Sequence, residues 1–535
     1  MSSHLREPGI ILISRWRNFL SDITKLTPVS EVVKLCPGAR RIFDKYGLKG
    51  CGGEHGPTEP LGFFAAVHKV DVEKLIEELN AEVKNPSGQT YTYEEGLGDY
   101  IYRRFFKAGI AVVLTVGCMW GALNLFEIAT RKSFLRLHLL PSIHAHAHAM
   151  VFGWVGLFVM GFAYQSFPRF KYTTLWRPDL ANLTFILMLI GIASRVGAEL
   201  LQPMPVGFGL GILSAAVELA AVVLFLTIIL KTARRSMEPH NPYEKFIFGA
   251  FFWFLVQTVL SAVFFFAKAT AASEPQLVQR IALIDGPLRD IQLLGFAALM
   301  IAGVSQRFVP AVYGLGSPQR DRQTLIFWLM NGSLILDLAS YVLVLTTHNP
   351  VFAIGLEISY VLMVIWAVLL VMQLRIFSKP AEPDRTFKFI RAAYTWLLVA
   401  MAMMPFFIVY GVLTHQYFAH SYMGSHRHAF TVGFISMMIL GVSSRVVPIL
   451  AGVDSKQVSS LWGPFVLFNV GNTGRVVLQI LTDFFPSVAF PLVGLTGFIE
   501  VTALAWWGFE LWQTMNLSKT HRGKLLQSPV AFPAR

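Results

Sequence analysis

The chain has 535 residues, of which 54% are hydrophobic and only 14% are charged. Soluble globular proteins carry about 25% charged residues, so this chain has too little charge to cover a soluble surface. Three cysteines are too few for a secreted disulfide scaffold. The basic residues behind the net charge of +13 lie between apolar runs, which argues against nucleic-acid binding and is typical of membrane-protein loops. These properties predict an integral membrane protein that has lipid as its partner.

The N-terminal part of the chain differs from the rest. It has an ordinary soluble composition and no apolar run of spanning length up to about residue 100. We therefore expect a soluble helical N-terminal domain at residues 1–100, a membrane domain at residues 101–518 and a cytoplasmic tail at residues 519–535.

Apolar stretches of about 20 residues cross a bilayer, and about twelve of them follow one another in the membrane domain. They predict an all-α membrane protein with about twelve transmembrane helices. The links after even-numbered spans carry fifteen basic residues and those after odd-numbered spans carry seven, so we expect both termini in the cytoplasm and the protein in the bacterial inner membrane. The predicted spans are 105–128, 146–168, 180–201, 207–231, 245–270, 288–311, 322–346, 351–376, 392–414, 427–450, 461–482 and 488–514.

A spacing of two glycines and a proline recurs in the second, sixth and tenth spans, with intervals of eight and seven residues. Five residues before the first glycine of each pattern stand His148, Asp290 and His428. Forty-seven residues further on stand Arg195, Asp337 and Arg475. This register predicts three four-helix pseudo-repeats around an axis along the membrane normal. Their approximate bounds are 101–231, 245–376 and 392–514.

Eight of the fourteen histidines lie in two stretches at the start of the second and tenth spans, on the predicted outer side. Residues two apart on a helix point about 200° apart, so the pairs His146/His148 and His426/His428 each face two different gaps between helices. His144 shares a face with His148. Imidazoles from opposing helices are suitable ligands for haem iron, copper or zinc. The simpler alternative is that these histidines are hydrogen-bonded near the membrane interface.

Two arginines of the repeat register complete the candidate site. Arg195 and Arg475 are buried in the predicted spans, where a guanidinium group can bind a haem propionate in a bidentate fashion. The alternative for Arg195 is structural, because Glu199 lies four residues further on and can neutralise it.

The segments HAHAMVFGWVGLFVMGFAYQSFPRF (146–170) and SHRHAFTVGFISMMILGVSSRVVPILAG (425–452) resemble the NnrS family. These are membrane proteins that contain haem and copper and are associated with nitric oxide metabolism and nitrosative stress. More distantly, the chain is similar to the catalytic subunit of haem-copper oxidases and nitric oxide reductases. This resemblance implies that His148 and His428 ligate a low-spin, b-type haem and that His426 faces a second site.

The middle repeat departs from the oxidase pattern. It has Asp290 and Asp337 where the oxidases have copper ligands, so a copper centre of that type does not follow. Copper would need outer histidines, namely His144, His146, His415 or His420.

The N-terminal domain resembles that of iron-centre repair proteins over residues 27–80. A Cys-Cys-Gly-Gly motif is usual there, and this chain has a single cysteine, Cys51, in residues 50–53. The resemblance implies a redox- or nitric-oxide-responsive thiol. The alternative is a docking domain in which Cys51 has no chemical role.

Together these features predict a haem-binding membrane protein of nitric oxide metabolism or nitrosative-stress defence. It would be either a reductase-like oxidoreductase with nitric oxide as its substrate and a quinol or a cytochrome as electron donor, or a sink for the nitric oxide radical. Two alternatives remain open: a transporter of a small charged substrate, because charged residues recur in all three repeats, and a haem-dependent membrane sensor.

Overall fold

All regular structure in the described part of the chain is helical, apart from an isolated bridge between Pro28 and Pro60. The all-α fold class is therefore confirmed. Side chains are not described for the first 22 residues or for the predicted tail at residues 519–535. The computed structural model describes residues 23–53, 55–85, 87, 94, 96–134, 137–202, 204–380, 383–416, 419–454 and 457–524, the last seven by backbone alone.

Four short helices form the N-terminal region around fully buried apolar side chains such as Val29, Phe43 and Leu75. The last of them begins at a capping residue, because a carboxylate oxygen of Asp71 accepts a hydrogen bond from the backbone N–H of Glu73 at 2.9 Å. The helices are α1 (Val29–Leu35), α2 (Ala39–Lys45), α3 (Leu61–His68) and α4 (Val72–Lys84).

The rest of the described chain is a bundle of long helices. Their bounds are α5 (Leu97–Arg131), α6 (Leu137–Phe170), α7 (Pro178–Leu200), α8 (Pro205–Arg234), α9 (Glu244–Ala269), α10 (Glu274–Tyr313), α11 (Arg320–Thr347), α12 (Val351–Leu374), α13 (Phe387–Met403), α14 (Phe406–Thr414), α15 (His420–Ala451), α16 (Trp462–Leu481) and α17 (Pro486–Lys524).

Within the described residues, ten helices are long and apolar enough to cross a membrane, or eleven if α13 and α14, which meet at a bend of 56°, form one span. The remaining predicted span, 461–482, corresponds to α16, which has the necessary length but is more polar. It carries Asn469, Asn472, Arg475 and Gln479. The multi-pass membrane architecture is thus confirmed, with one predicted span more polar than its neighbours.

Three helices form the centre of the bundle, namely α6, α10 and α15, which we call the central helices. Their apolar windows are 72%, 83% and 67% buried, against at most 56% for the other spanning helices. Each contains an eight-residue π-helix that starts directly after a repeat position: Ala149–Gly156 after His148, Ile291–Ala298 after Asp290, and Ala429–Ser436 after His428. Since π-helices are rare and frequently mark functional sites, their shared register singles out these three positions.

The glycines of the repeated spacing have a packing role. A Cβ atom added to the second glycine of each pattern would lie 2.7 to 2.9 Å from the Cβ atom of a phenylalanine on the preceding helix. The pairs are Gly161/Phe105, Gly303/Phe246 and Gly441/Phe389. Small residues allow helix backbones to approach closely in membranes, so the motif lets the first helix of each repeat cross its central helix.

The N-terminal helices pack against one end of the central helices, which we call the capped face. Arg445 of α15 donates to a carboxylate oxygen of Glu59 at 2.6 Å, and the Tyr172 hydroxyl donates to the backbone carbonyl of His68. His148 and His428 lie toward the other end of their helices, away from this face.

Candidate functional site

Each repeat position interacts with the charged residue 47 positions later in the sequence. His148 interacts electrostatically with Arg195, Asp290 with Asp337, and His428 with Arg475. The register found in the sequence is therefore a contact between the central helix and the third helix of its repeat. These contacts lie in three separate gaps: the first gap between α6, α7, α8 and α9, the second between α10, α11 and α12, and the third between α5, α6, α15, α16 and α17.

The first gap holds a buried network of charges. Nε2 of His148 donates to Oε1 of Glu218 at 2.7 Å. The Lys268 ammonium donates to Oε2 of Glu199 at 2.7 Å and to Nδ1 of His144 at 2.8 Å. All five side chains are buried. Because the cations and carboxylates alternate, the polar groups of this gap largely satisfy one another.

Arg195 belongs to the same network. Its Nη1 donates to the carbonyl of Ser261 at 3.2 Å, and its guanidinium carbon lies 4.8 Å from the ring centre of Phe265. It interacts electrostatically with both Glu218 and Glu199. The charge of Arg195 is thus balanced by two glutamates, one of which also pairs with Lys268.

The third gap holds two histidines in the same tautomeric state. Nδ1 of His146 lies 2.9 Å from the carbonyl of Gly117, and Nδ1 of His428 lies 2.9 Å from the carbonyl of Gly424. A carbonyl only accepts, so Nδ1 of each ring carries the proton and the lone pair remains on Nε2. The two rings interact electrostatically. Gly121 makes room for the first ring, because a Cβ there would lie 2.5 Å from the His146 imidazole.

Several polar atoms beside these rings are buried without a hydrogen-bond partner. They are Nε and Nη1 of Arg475, both amide atoms of Asn472 and Oε1 of Glu500. Native structures leave few buried polar atoms unpaired. This concentration of unpaired donors and acceptors therefore fits a polar ligand in the third gap, and a guanidinium group is suited to a ligand carboxylate.

The pairing of histidines differs from the sequence-based prediction. No described hydrogen bond, ion pair or ring contact joins His148 to His428, and Nε2 of His148 is held by Glu218. His146 shares the gap of His428 instead. His146 and His148 lie in different gaps, in agreement with the helical argument, but spacing alone does not tell which member of a pair meets the opposing helix.

His426, predicted to face a second site, is buried with 8% of its surface exposed. Neither ring nitrogen has a hydrogen-bond partner. An imidazole that is buried without any partner pays the full cost of desolvation. The side chain therefore fits a position that holds a ligand.

The histidines predicted for copper do not converge. Among the described residues, no group of three or more histidine, cysteine, aspartate or glutamate side chains is placed to hold a metal ion. His144 bonds Lys268 and His146 bonds the Gly117 carbonyl. His415 follows the end of α14, and His420 begins α15.

The second gap has carboxylates in place of histidines. Asp290 and Asp337 lie close enough to interact electrostatically, and the Ser359 hydroxyl donates to Oδ1 of Asp337 at 3.3 Å. Two adjacent carboxyl groups share a proton more readily than they hold two negative charges. This gap can thus hold a proton or a cation.

Sequence reasoning missed the glutamates of the fourth helices. Glu218 follows Arg195 by 23 residues and Glu500 follows Arg475 by 25 residues, and both glutamates interact with their arginine. A helical hairpin returns to the same depth after such a distance. The signal was therefore present in the sequence, as an acidic residue opposite each buried arginine.

Comparison with known proteins agrees with this architecture. A search of curated proteins finds no match. The family model described as NnrS protein matches residues 98–517, which include all three gaps and every helix of the bundle except the last turns of α17. The chain therefore belongs to the NnrS family, which is linked to nitric oxide metabolism.

Proposed function

We propose that this protein binds haem in the third gap and acts in nitric oxide metabolism and the defence against nitrosative stress. His146 and His428 would hold the haem iron in this proposal, in place of the predicted pair His148 and His428. One observation carries it: two half-buried imidazoles share a gap, and each is held through Nδ1 by a backbone carbonyl. Such hydrogen bonds orient a ligating histidine and leave Nε2 for the metal.

Other residues of the chain have supporting roles. Arg475, with Nε and Nη1 unpaired, is placed to bind a propionate. A c-type haem is not expected, since none of the three cysteines, Cys36, Cys51 and Cys118, lies in a Cys-x-x-Cys-His attachment motif. We propose the b type that the family resemblance implies. His426 is assigned to a second site, where its unpaired ring would bind a haem or copper ion.

When bound, a haem with two imidazole ligands transfers electrons, and one with an open position binds nitric oxide. The chain's own part is to fix the imidazoles, balance the propionates and exclude water from the gap. We further propose a reductase-like oxidoreductase of the bacterial inner membrane, with a quinol or a cytochrome as electron donor. The basic links on the capped side support cytoplasmic termini.

The test is the optical spectrum of the full-length protein purified in detergent, before and after reduction. We expect a six-coordinate low-spin haem that is lost in His146→Ala and in His428→Ala. His148→Ala is the matched control, since it removes a histidine of the same helix from the first gap and is expected to keep the spectrum. Loss in His148→Ala but not in His146→Ala would restore the original pairing, and a colourless wild-type protein would refute the proposal.

A transporter of a small charged substrate is the second candidate. It is favoured by the Asp290–Asp337 pair, in which Oδ2 of Asp337 is buried without a partner. Proton relays in transporters are built from such intramembrane carboxylates. A colourless protein that moves a charged solute in vesicles, and loses this activity in Asp337→Asn, would favour it over haem binding.

Deletion of residues 1–95 distinguishes a haem-dependent sensor from an enzyme. An enzyme whose chemistry lies in the bundle keeps its turnover of nitric oxide without them. A sensor keeps its spectrum and loses only the downstream response.

A further inference from the structure

A cavity of about 90 Å³ lies between the N-terminal region and the capped face. It is several times larger than the space that one water molecule requires. The N-terminal region contributes Cys51, Phe64 and His68 to its wall, and the central helices contribute Phe170 and Arg307. Most of the wall is apolar, so the few polar groups decide what the cavity can bind.

Among the polar side chains of the cavity wall, Arg307 of α10 has the fewest interactions that offset its charge. It is 4% exposed. Its Nη1 donates to the Tyr243 hydroxyl at 2.7 Å, and its guanidinium carbon lies 3.9 Å from the ring centre of Phe170. Nε and Nη2 have no hydrogen-bond partner. These two N–H groups are parallel and form the side of the guanidinium that binds a carboxylate or another planar oxyanion.

The equivalent arginine of the third repeat shows what Arg307 lacks. Arg307 and Arg445 each lie four residues after the second glycine of their pattern. Arg445 pairs with Glu59 at 2.6 Å and with Asp384 at 2.5 Å. The residue five positions before Phe389 is Asp384, whereas the residue five positions before Phe246 is Asn241. The second repeat therefore has a neutral amide where the third has the counter-ion.

The described surroundings of Arg307 supply no counter-ion. No ion pair of Arg307 occurs among the described residues, and it interacts electrostatically with His68 and Lys69 of the N-terminal region. His68 stacks on Phe64 with 4.4 Å between ring centres, and its Nδ1 is buried without a partner. Glu244, the nearby carboxylate of α9, is bonded to Lys171 at 3.2 Å. The other charged side chains of the wall, Glu59 and Arg169, are paired with Arg445 and Asp99. An uncompensated buried cation is costly, so Arg307 is the charge of this wall that lacks a counter-ion.

We propose that this cavity binds a small planar oxyanion of single negative charge, such as nitrite, nitrate or acetate, on the free side of the Arg307 guanidinium. The stacked Phe170 ring leaves only in-plane donors, which selects a planar ligand over a tetrahedral or spherical one. The anion touches both the N-terminal region and the bundle, so its binding stabilises their docking. This site is distinct from the histidine gaps, and its test does not depend on haem.

The experiment is isothermal titration calorimetry of the full-length protein in detergent at constant ionic strength. The titrants are sodium nitrite, nitrate, acetate, chloride and sulfate. We expect one saturable site for the planar oxyanions, with chloride and sulfate at least about tenfold weaker. Arg307→Gln is expected to abolish the binding, and Arg177→Gln, which removes an exposed arginine, to leave it unchanged.

A second variant keeps the charge and removes the space. Val304 lines the cavity, and Val304→Phe is expected to prevent oxyanion binding while Arg307 is retained. Gel filtration of each variant establishes that it is folded. Absence of binding by the wild type, unchanged binding in Arg307→Gln, or chloride bound as tightly as nitrite would each overturn the proposal.

Discussion

The thiol of Cys51 is buried at the junction of the N-terminal region and the bundle, with its Sγ 3.9 Å from the carbonyl of Ile449. Burial raises its pKa to about 11, against the opposing effect of Arg169 and Arg40. The thiol is therefore protonated at neutral pH, and the thiolate is the reactive form. This environment favours the docking alternative over a responsive thiol.

We expect Cys51 in the native protein to react with iodoacetamide at pH 7.5 about 100-fold more slowly than an ordinary cysteine, since each pKa unit changes the thiolate fraction tenfold. The rate should rise tenfold per pH unit up to about pH 11. The measurement uses mass spectrometry in a Cys36→Ala/Cys118→Ala background, with the denatured protein as reference. Rapid labelling of the native protein at pH 7.5 would show that the thiol is responsive after all.

At the level of single residues, the sequence predicts which positions meet but not which atoms. The 47-residue register relates His428 to Arg475, and the two side chains interact electrostatically. It does not predict that Glu218 takes Nε2 of His148 whereas Gly117 takes Nδ1 of His146. Those choices depend on the neighbouring helices, which no spacing within a single helix reveals.

The repeated glycines control the packing of the helices. Gly441→Val places a Cβ 2.9 Å from the Cβ of Phe389, and overpacking of this kind costs about 1–3 kcal/mol. Gly332→Val in α11 is the matched control, because nothing lies within 4 Å of its Cβ position. The same residue is introduced into a helix in both variants, so helix propensity is held constant.

We expect the melting temperature of Gly441→Val in detergent, followed by circular dichroism, to fall clearly below that of Gly332→Val. Equal melting temperatures would mean that α13 can move away from α15 at no cost. In that case the glycine spacing would need another explanation.

The π-helices mark the limit of prediction at the level of elements. The apolar stretches correctly locate the central helices, and the glycine spacing correctly aligns them. Nothing in the apolar pattern of residues 149–156 separates a π-helix from an α-helix, because both bury a continuous apolar surface. The wider turn depends on hydrogen bonds that only the folded backbone shows.

The attachment of the N-terminal region to the bundle depends on the ion pair of Glu59 with Arg445, whose side chains are 7% and 13% exposed. Removing one partner of a buried pair is strongly destabilising. We expect Glu59→Gln to raise amide hydrogen exchange in α1 and α3 at least about tenfold. Exchange in the central helices should stay unchanged.

Glu73→Gln is the control for this measurement. Glu73 pairs with Lys25 at 2.6 Å, but both side chains are largely exposed, and such pairs contribute about 0–1 kcal/mol. If the amide hydrogens of α1 and α3 exchange at the same rate in Glu59→Gln and in Glu73→Gln, docking of the N-terminal region does not depend on the buried pair.

For the whole molecule, composition and apolar run length suffice to predict the fold class. Helix α16 is predicted to within one residue at each end, and it is more polar than the other spans because it lines the third gap with Asn472 and Arg475. The polar residues that line the candidate site lower the hydropathy of this helix, and hydropathy is the property by which a transmembrane helix is recognised in a sequence. The docking of the N-terminal region could not be predicted, because its ion pair joins residues 386 positions apart.

Each gap has a repeat position of a central helix and the residue 47 positions later in its wall, and the gaps differ in the histidines and charged side chains that line them. An imidazole near an arginine that interacts with two glutamates, a pair of acids, and an imidazole near an arginine whose Nε and Nη1 are unpaired occupy corresponding places. A scaffold built this way can change the chemistry of one compartment while the other two keep theirs. Replacing Asp290 by histidine and Asp337 by arginine would therefore test whether the shared helix arrangement is enough to create a further cofactor-binding site.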